Sequence, residues 1–276
     1  AIAQAARRRG AAVLTGCAVR GLELAAGRVA GVVTEKGTIA CNAVILAGGA
    51  WSRLFCDGLS LRLPQLKVIA TVMRTAPLEG PCEHAVWMSR FAFRKRLDGG
   101  YTIANSGIHR HEIRPESFRF FGDFLPTLRM SWRETSLRIG RSFFDDLGTP
   151  KQPVLDKPAI YERARVIDPE PSEATNRRTW TDLEAVFPVF KGARIEQQWA
   201  GSIDVTPDAL PVISPIDAVP GFLLATGFSG HGFGVGPAAG HLAADLVTGA
   251  PPIVDPAPFR FARFSDGSRL RPYAPP

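Results

Sequence analysis

Residues 221 to 249, GFLLATGFSGHGFGVGPAAGHLAADLVTG, constrain this chain more than any other stretch. Apolar Phe222 to Ala225 predict a short buried strand. The glycines at 227, 230, 232, 234 and 236 predict a loop, and Ala238 to Val247 carry helical spacing with Leu242, Leu246 and Val247 on one side. The order is therefore strand, glycine loop, helix. Glycine is needed where backbone must approach a ligand more closely than a Cβ allows. The first-turn N–H groups of a following helix, with its dipole, favour an electron-rich acceptor. Pro237 fits a first helical turn and Gly249 fits a helix stop. A glycine-rich surface loop ahead of an amphipathic helix satisfies the same spacing.

Gly234, Gly236 and Ala239 also match G-x-G-x-x-A after a strand, and Asp255 follows at about the distance of a ribose-binding acid. The predicted loop is too long for the tight turn of a dinucleotide fold. After Val254 the chain runs through Pro256, Pro258, Pro272, Pro275 and Pro276, which leaves no sheet to complete. That reading is set aside.

With 276 residues, 45% of them hydrophobic, the chain can bury a sizeable core as one large domain or two modest ones. No apolar run is long enough to span a bilayer. In AIAQAARRRG the basic cluster follows the apolar residues, the reverse of a signal peptide, so a cytoplasmic location is expected. Cys17, Cys41, Cys56 and Cys82 lie far apart with no C-x-x-C pair, which predicts reduced, mostly buried thiols and no zinc site. The formal charge of +7 is scattered, and its densest groups, Arg7 to Arg9 and Arg94 to Arg96, lack interleaved aromatic platforms. A solvated basic face is expected rather than a nucleic-acid site, although the potential would draw an anionic substrate or cofactor. Residue 1 is Ala, inside a helical pattern already under way, and reads as the start of a fragment or a processed chain.

Ala1 to Arg9 predict a helix closed by Gly10, and Ala12 to Leu14 a short strand. Ala18 to Leu24 and Val29 to Thr34 predict a hairpin about Ala26-Gly27-Arg28, with Gly37 to Ala40 as a third strand. Val44 to Leu46 form an apolar strand running into Ala47-Gly48-Gly49-Ala50-Trp51-Ser52, with a helix from about Ser52 to Asp57. Such a turn at the end of a buried strand is where open α/β sheets place ligands. From Pro64 the pattern changes. Leu66 to Thr75 predict a long strand, Phe91 to Arg96 and Tyr101 to Ala104 a hairpin about Asp98-Gly99-Gly100, and Glu116 to Leu147 a helical region broken at Pro126. Pro150 to Pro171 are proline-spaced, Ser172 caps a helix to Val186, and Ala193 to Gly201 lead back as a strand.

Three segments carry a resemblance: AVILAGGAWSRL at 43 to 54, WAGSIDVTPDALPVIS at 199 to 214 and GFSGHGFGVGPAAGHLAADLVTG at 227 to 249. Together, in this order, they resemble the D-amino-acid oxidase family of FAD-dependent oxidoreductases, which includes glycine and sarcosine oxidases. The resemblance covers almost the whole chain. It implies a mixed α/β fold, with an incomplete Rossmann-like FAD-binding domain (1–62 and 199–276) interleaved with an antiparallel-sheet substrate domain (63–198). It also implies FAD as cofactor and hydride transfer from an amino acid or secondary amine. Val19 would offer backbone groups to the adenine. Ala47, Gly48 and Trp51 would lie along the flavin. Gly230, His231, Gly232, Phe233 and Gly234 would set backbone N–H groups at its pyrimidine edge, where charge accumulates on reduction.

The departures from the family carry equal weight. No G-x-G-x-x-G occurs in the chain, so an N-terminal segment or a partner chain is expected to supply the diphosphate cradle, and this chain alone is expected to bind FAD weakly or not at all. A noncatalytic assembly piece is the rival reading. Several relatives carry an arginine shortly after the W-x-G motif to hold the substrate carboxylate, where this chain has Ile203 and Asp204. Arg94 and Arg96, on one face of a strand, are the candidates to replace it. No cysteine lies beyond Cys82, so the flavin is expected to be noncovalent. The catalytic list is left empty, because a neutral amine needs no positioned base. His84, His109 and His111 lack metal-like company, His241 is expected on the surface, Asp208 in turn chemistry, and Trp87 and Trp199 in the core.

Overall fold

The computed structural model describes residues 1–106, 109–131, 135–140, 143 and 155–272. In chain order, helix α1 (Ile2–Arg8) precedes strands β1 (Val19–Ala25), β2 (Arg28–Thr34), β3 (Gly37–Ala40) and β4 (Val44–Leu46). Helix α2 (Ser52–Gly58) then leads to β5 (Leu66–Thr75), β6 (Val86–Trp87), β7 (Ala92–Lys95), β8 (Tyr101–Ala104) and β9 (His109–Ile113). Next come α3 (Pro115–Arg119), α4 (Phe121–Ser131), β10 (Thr135–Ile139), α5 (Ile160–Arg163) and α6 (Glu173–Val186). The chain closes with β11 (Ile195–Val205), β12 (Val212–Pro215), β13 (Phe222–Thr226) and α7 (Gly232–Thr248).

Among the described residues three sheets result. The first, β1-β2-β3, is antiparallel, and its hairpin closes with Ala25 opposite Arg28. Ala26 (φ 49°) and Gly27 (φ 77°) both take left-handed backbone there, the geometry that matches strand twist in a two-residue turn. The second sheet runs β10-β9-β5-β8-β7-β6, and β11 pairs with β5 along its length, from Ile195 opposite Thr75 to Val205 opposite Leu66. The third, β12-β13-β4, joins segments far apart in sequence: β13 pairs with β4 in parallel, Phe222 opposite Val44 and Leu224 opposite Leu46.

Apolar packing follows these layers. Leu22, Phe55, Leu63, Val212, Phe222 and Leu224 form one core between the first and third sheets and α2. Phe93, Tyr101, Phe187 and Phe190 form an aromatic core under α6, with ring centroids 5.2–5.7 Å apart and mostly edge-on, the favoured geometry for such pairs. Helix α7 packs Ala239, Leu242 and Ala243 on Ile213 and Leu223. Ser172 caps α6 as expected, its Oγ accepting the Thr175 N–H at 3.3 Å.

Several local expectations give way. Ala12 to Leu14 form no strand and lie exposed, because three apolar residues without a ladder partner gain nothing from extension. The long helical region from Glu116 is instead α3, α4 and a strand, β10, which pairs in parallel with β9; its far end, at 144–147, lies outside the described residues. β11 continues past Gly201 to Val205, since β5 supplies a partner that far. Trp87 is exposed, and of the cysteines only Cys56 is buried. Burial pushes the Cys56 thiol up to about 12, which keeps it protonated.

Candidate functional site

The parallel pairing of β4 and β13 brings two turns together at the carboxyl ends of adjacent strands, the place where open α/β sheets bind ligands. Ala47 to Trp51 leave β4, and Gly227 to His231 leave β13. The hydroxyl of Thr226, the last residue of β13, lies 3.3 Å from the Gly49 carbonyl, so the turns start in hydrogen-bond contact. Gly227 needs to be glycine: its φ is +76°, and a Cβ there would stand 2.6 Å from Thr206 Cγ2.

The glycine run is mostly helix. Gly232, Gly234 and Gly236 fall in the first turns of α7, and Pro237 lies inside it rather than at its start. Propensity alone disfavours such a helix, and the apolar contacts of Ala239, Leu242 and Ala243 outweigh it. The G-x-G-x-x-A match at 234 to 239 therefore sits within a helix and makes no strand-to-helix turn. A Cβ on Gly234, Gly236 or Gly240 would meet nothing within 4 Å, so the helix backbone is uncovered at these three positions. Val235 N–H reaches the His231 carbonyl at 3.4 Å, which leaves the N–H groups of Gly232, Phe233 and Gly234 as the helix's unshared first turn. His231 differs from them, since its N–H donates to the Phe228 carbonyl at 2.9 Å.

Beside this junction lies a cavity of about 420 Å³. Its floor is one face of the β5/β11 ladder, where Leu66 and Val68 stand opposite Val205 and Ile203. Phe118, Phe121, Phe124 and Leu128 of α3 and α4 wall it, and Ser229 brings the glycine turn to its rim. An ion-pair cluster fixes that wall: buried Arg53 of α2 holds Asp57 at 2.6 Å and Glu116 of α3 at 3.4 Å, and the exposed Arg119 holds Asp57 at 2.6 Å. The opposite face of the ladder carries Lys67 and Asp204 as a cross-strand pair, with the Lys67 ammonium 5.2 Å from the centre of the Trp51 ring.

His111 is the buried titratable side chain on the cavity wall. Its Nδ1 lies 2.8 Å from the Lys67 carbonyl and its Nε2 2.9 Å from Ser117 Oγ, so a neutral ring, donating from Nδ1 and accepting at Nε2, ties α3 to β5. Burial holds its pKa below the ordinary imidazole value. The unfolded chain therefore binds the proton more readily than the folded one. The contribution to stability is full above about pH 6.5 and is lost as pH falls below that value. Thermal melts should show this directly: between pH 7.5 and 5.5 the midpoint of the native chain falls further than that of His111→Gln. Equal falls would remove His111 from the account.

The site expectations sort by position. Ala47, Gly48, Trp51 and Gly230 to Gly234 converge at the junction. Val19 opens β1 in the first sheet, where it pairs with Thr34. Arg94 pairs across to Thr102, which pairs with Arg74 at the far end of β5, roughly 20 Å along the strand from Val68. Arg94 lines a separate shallow groove with Trp87, and Arg96 is engaged with Asp98 at 3.0 Å; neither lines the cavity. Asp208 does cap a turn, accepting the Leu210 N–H at 3.2 Å, and is also half of a buried ion pair with Arg263. His241 is exposed on α7. Among the described residues no group of three or more His, Cys, Asp or Glu could hold a metal, and no helix is long and apolar enough to cross a membrane. Sequence reasoning missed the phenylalanine wall, although Phe118, Phe121 and Phe124 recur every third residue. It also missed Gln65 and Thr226, whose roles depend on which strands become neighbours.

Two turns on parallel strands, the start of a helix and an apolar cavity thus lie beside one another. The chain belongs to the FAD dependent oxidoreductase (DAO) family, whose pattern it matches over residues 1–246. Its fold is similar to that of the L-amino acid deaminase from Proteus myxofaciens in complex with anthranilate. The TM-score is 0.91 and the identity 33%, over 96% of this chain and 59% of that one. The L-amino acid deaminase from Proteus vulgaris gives a TM-score of 0.88 at 30% identity, over 95% and 61%. In sequence the chain is 26% identical over 250 residues to a glycine oxidase from Pseudomonas putida, covering 88% of this chain and 52% of the relative. The chain spans about half the length of the curated relatives it matches.

Proposed function

We propose that this chain carries the flavin-ring and substrate portion of an enzyme that oxidises the C–N bond of an amino acid with a large apolar side chain. The observation that carries the reading is the cavity of about 420 Å³ opening at Ser229, beside the junction of the two turns. When bound, FAD would accept the hydride; the chain's residues bind, orient and exclude water. Ala47, Gly48 and Trp51 would lie along the ring, and the unshared N–H groups of Gly232, Phe233 and Gly234 would face the edge that gains negative charge. Gly232 and Gly234 carry no Cβ to hinder such a close approach. Binding would be noncovalent. Phe118, Phe121, Phe124 and Val68 would bury the substrate side chain, each well-buried apolar group contributing about 1.5–3 kcal/mol. Among the described residues the cavity lining offers no arginine or lysine to hold the substrate carboxylate.

The diphosphate cradle would come from an N-terminal segment or a partner chain. Among the described residues β4 pairs with β13 alone and is the edge of its sheet, which leaves an edge for one more parallel strand. The division into 1–62, 63–198 and 199–276 belongs to the same reading. The test is anaerobic mixing of the full-length, FAD-loaded protein with leucine, phenylalanine, glycine and sarcosine. Rapid bleaching of flavin absorbance by the apolar amino acids, and slow or no bleaching by glycine, is expected. No bleaching by any amine or amino acid would overturn the reading.

A further inference from the structure

One oxygen holds the junction of the two turns together. Asp204 Oδ2 accepts the Gly227 N–H at 2.7 Å and the Gln65 side-chain N–H at 3.0 Å, and lies 3.3 Å from Thr226 Oγ1. Gln65 is 2% exposed, and its other end, Oε1, accepts the Arg53 N–H in the first turn of α2 at 3.1 Å. That N–H needs an acceptor, which fixes the orientation of the amide and so aims its NH₂ at Asp204 and Thr226. Thr226, fully buried, touches the Gly49 carbonyl. The main chain of Asp204 adds another tie, its carbonyl accepting the Ser229 N–H at 3.0 Å. The network thus reaches the middle of the Ala47 to Trp51 turn, the helix α2 that follows it, and the start and middle of the Gly227 to His231 turn.

We propose that Asp204 is a positioning residue which, through Gln65 and Thr226, sets the spacing and relative tilt of the two turns between which the flavin ring lies. The inference rests on the proposed function and deepens it. Asp204 comes from β11 of the second sheet, so the width of the slot is set by a strand that belongs to neither turn. Its side chain points to the ladder face opposite the cavity, alongside its cross-strand neighbour Lys67, and would touch no substrate there. Because every side-chain bond runs through Oδ2, asparagine can replace it with its amide oxygen in the same place. Alanine cannot. Burial raises the carboxyl's pKa, in keeping with a site that needs the oxygen more than the charge.

The test uses the full-length protein, with the N-terminal segment or partner chain that completes the diphosphate cradle, and its affinity for FAD. Asp204→Ala should raise the FAD dissociation constant about 10-fold or more, the scale of a lost buried hydrogen bond to a charged group, and should blur the resolved visible bands of the bound flavin. Asp204→Asn should restore the affinity to within about 3-fold of wild type and restore the bands, a rescue that a simple charge effect would not give. Gln65→Met cuts the link to α2 and should weaken binding by about 3- to 10-fold. In combination with Asp204→Ala it should add less than about 3-fold, since both act through one network. Wild-type affinity in Asp204→Ala, or fully additive losses in the pair, would overturn the proposal. Should Asp204→Ala fail to fold, an unchanged affinity in Gln65→Met would overturn it alone. A wild-type protein that takes up no flavin would instead overturn the proposed function, and this inference with it.

Discussion

Arg263→Met is expected to cost about 3–5 kcal/mol of unfolding free energy, the scale for stripping one partner from a buried ion pair. Arg263 and Asp208 keep only 4% and 5% of their side-chain surface exposed. The guanidinium donates through Nε to Asp208 Oδ2 at 2.8 Å and through Nη2 to Oδ1 at 3.2 Å, a two-point grip that a point charge could not reproduce. It also serves the Leu210 carbonyl at 2.9 Å and the Arg260 carbonyl at 3.0 Å, and lies 4.3 Å from the centre of the Phe264 ring. One side chain therefore fastens the C-terminal segment to the turn that follows β11. Methionine keeps the stem and leaves Asp208 charged, buried and without its guanidinium. Urea unfolding measures the loss, and the double variant Arg263→Met/Asp208→Asn should recover most of it, because the uncompensated charge is gone. A loss below about 1 kcal/mol in the single variant would show that water reaches the pair after all.

The second large effect concerns the cavity. Val68→Trp should lower kcat/KM for phenylalanine by roughly 10- to 100-fold and for alanine by less than about 3-fold, since the indole takes the space in which a large side chain would be buried. Val68 stands on the cavity face of β5, opposite Ile203 and away from Trp51, so FAD content should not change. Steady-state kinetics with the two amino acids settles it. An equal loss for both would move the substrate side chain to another part of the site.

These two positions show different degrees of legibility. Residues 222 to 249 announce a strand and a helix joined by a glycine-bearing turn through their own spacing, and the early hairpin is announced by its Ala26-Gly27 turn. Ser172 announces its cap. Local chemistry suffices for these, because the partners lie within a few residues. The start of α7 was hidden because glycines lack helical propensity, and only the contact of Ala239, Leu242 and Ala243 with β12 and β13 makes a helix the better use of that backbone. β10 was hidden because a strand needs a neighbour, and β9 is not recognisable as one until the sheet exists.

The sequence by itself determined the elements that carry their own period and turns, the family, and the two glycine-bearing turns on which the proposed site depends. Only the tertiary structure decided that Val44–Leu46 and Phe222–Thr226 lie side by side, that Asp204 reaches Gly227 and Gln65, that the Phe118 wall faces Val68, and that Arg94 stands far from it. The physical reason is range. Periodicity and turn chemistry act over a few residues, whereas strand pairing and buried hydrogen bonds join groups up to 178 residues apart, as Val44 and Phe222 are, and no local pattern encodes which distant partner will satisfy them.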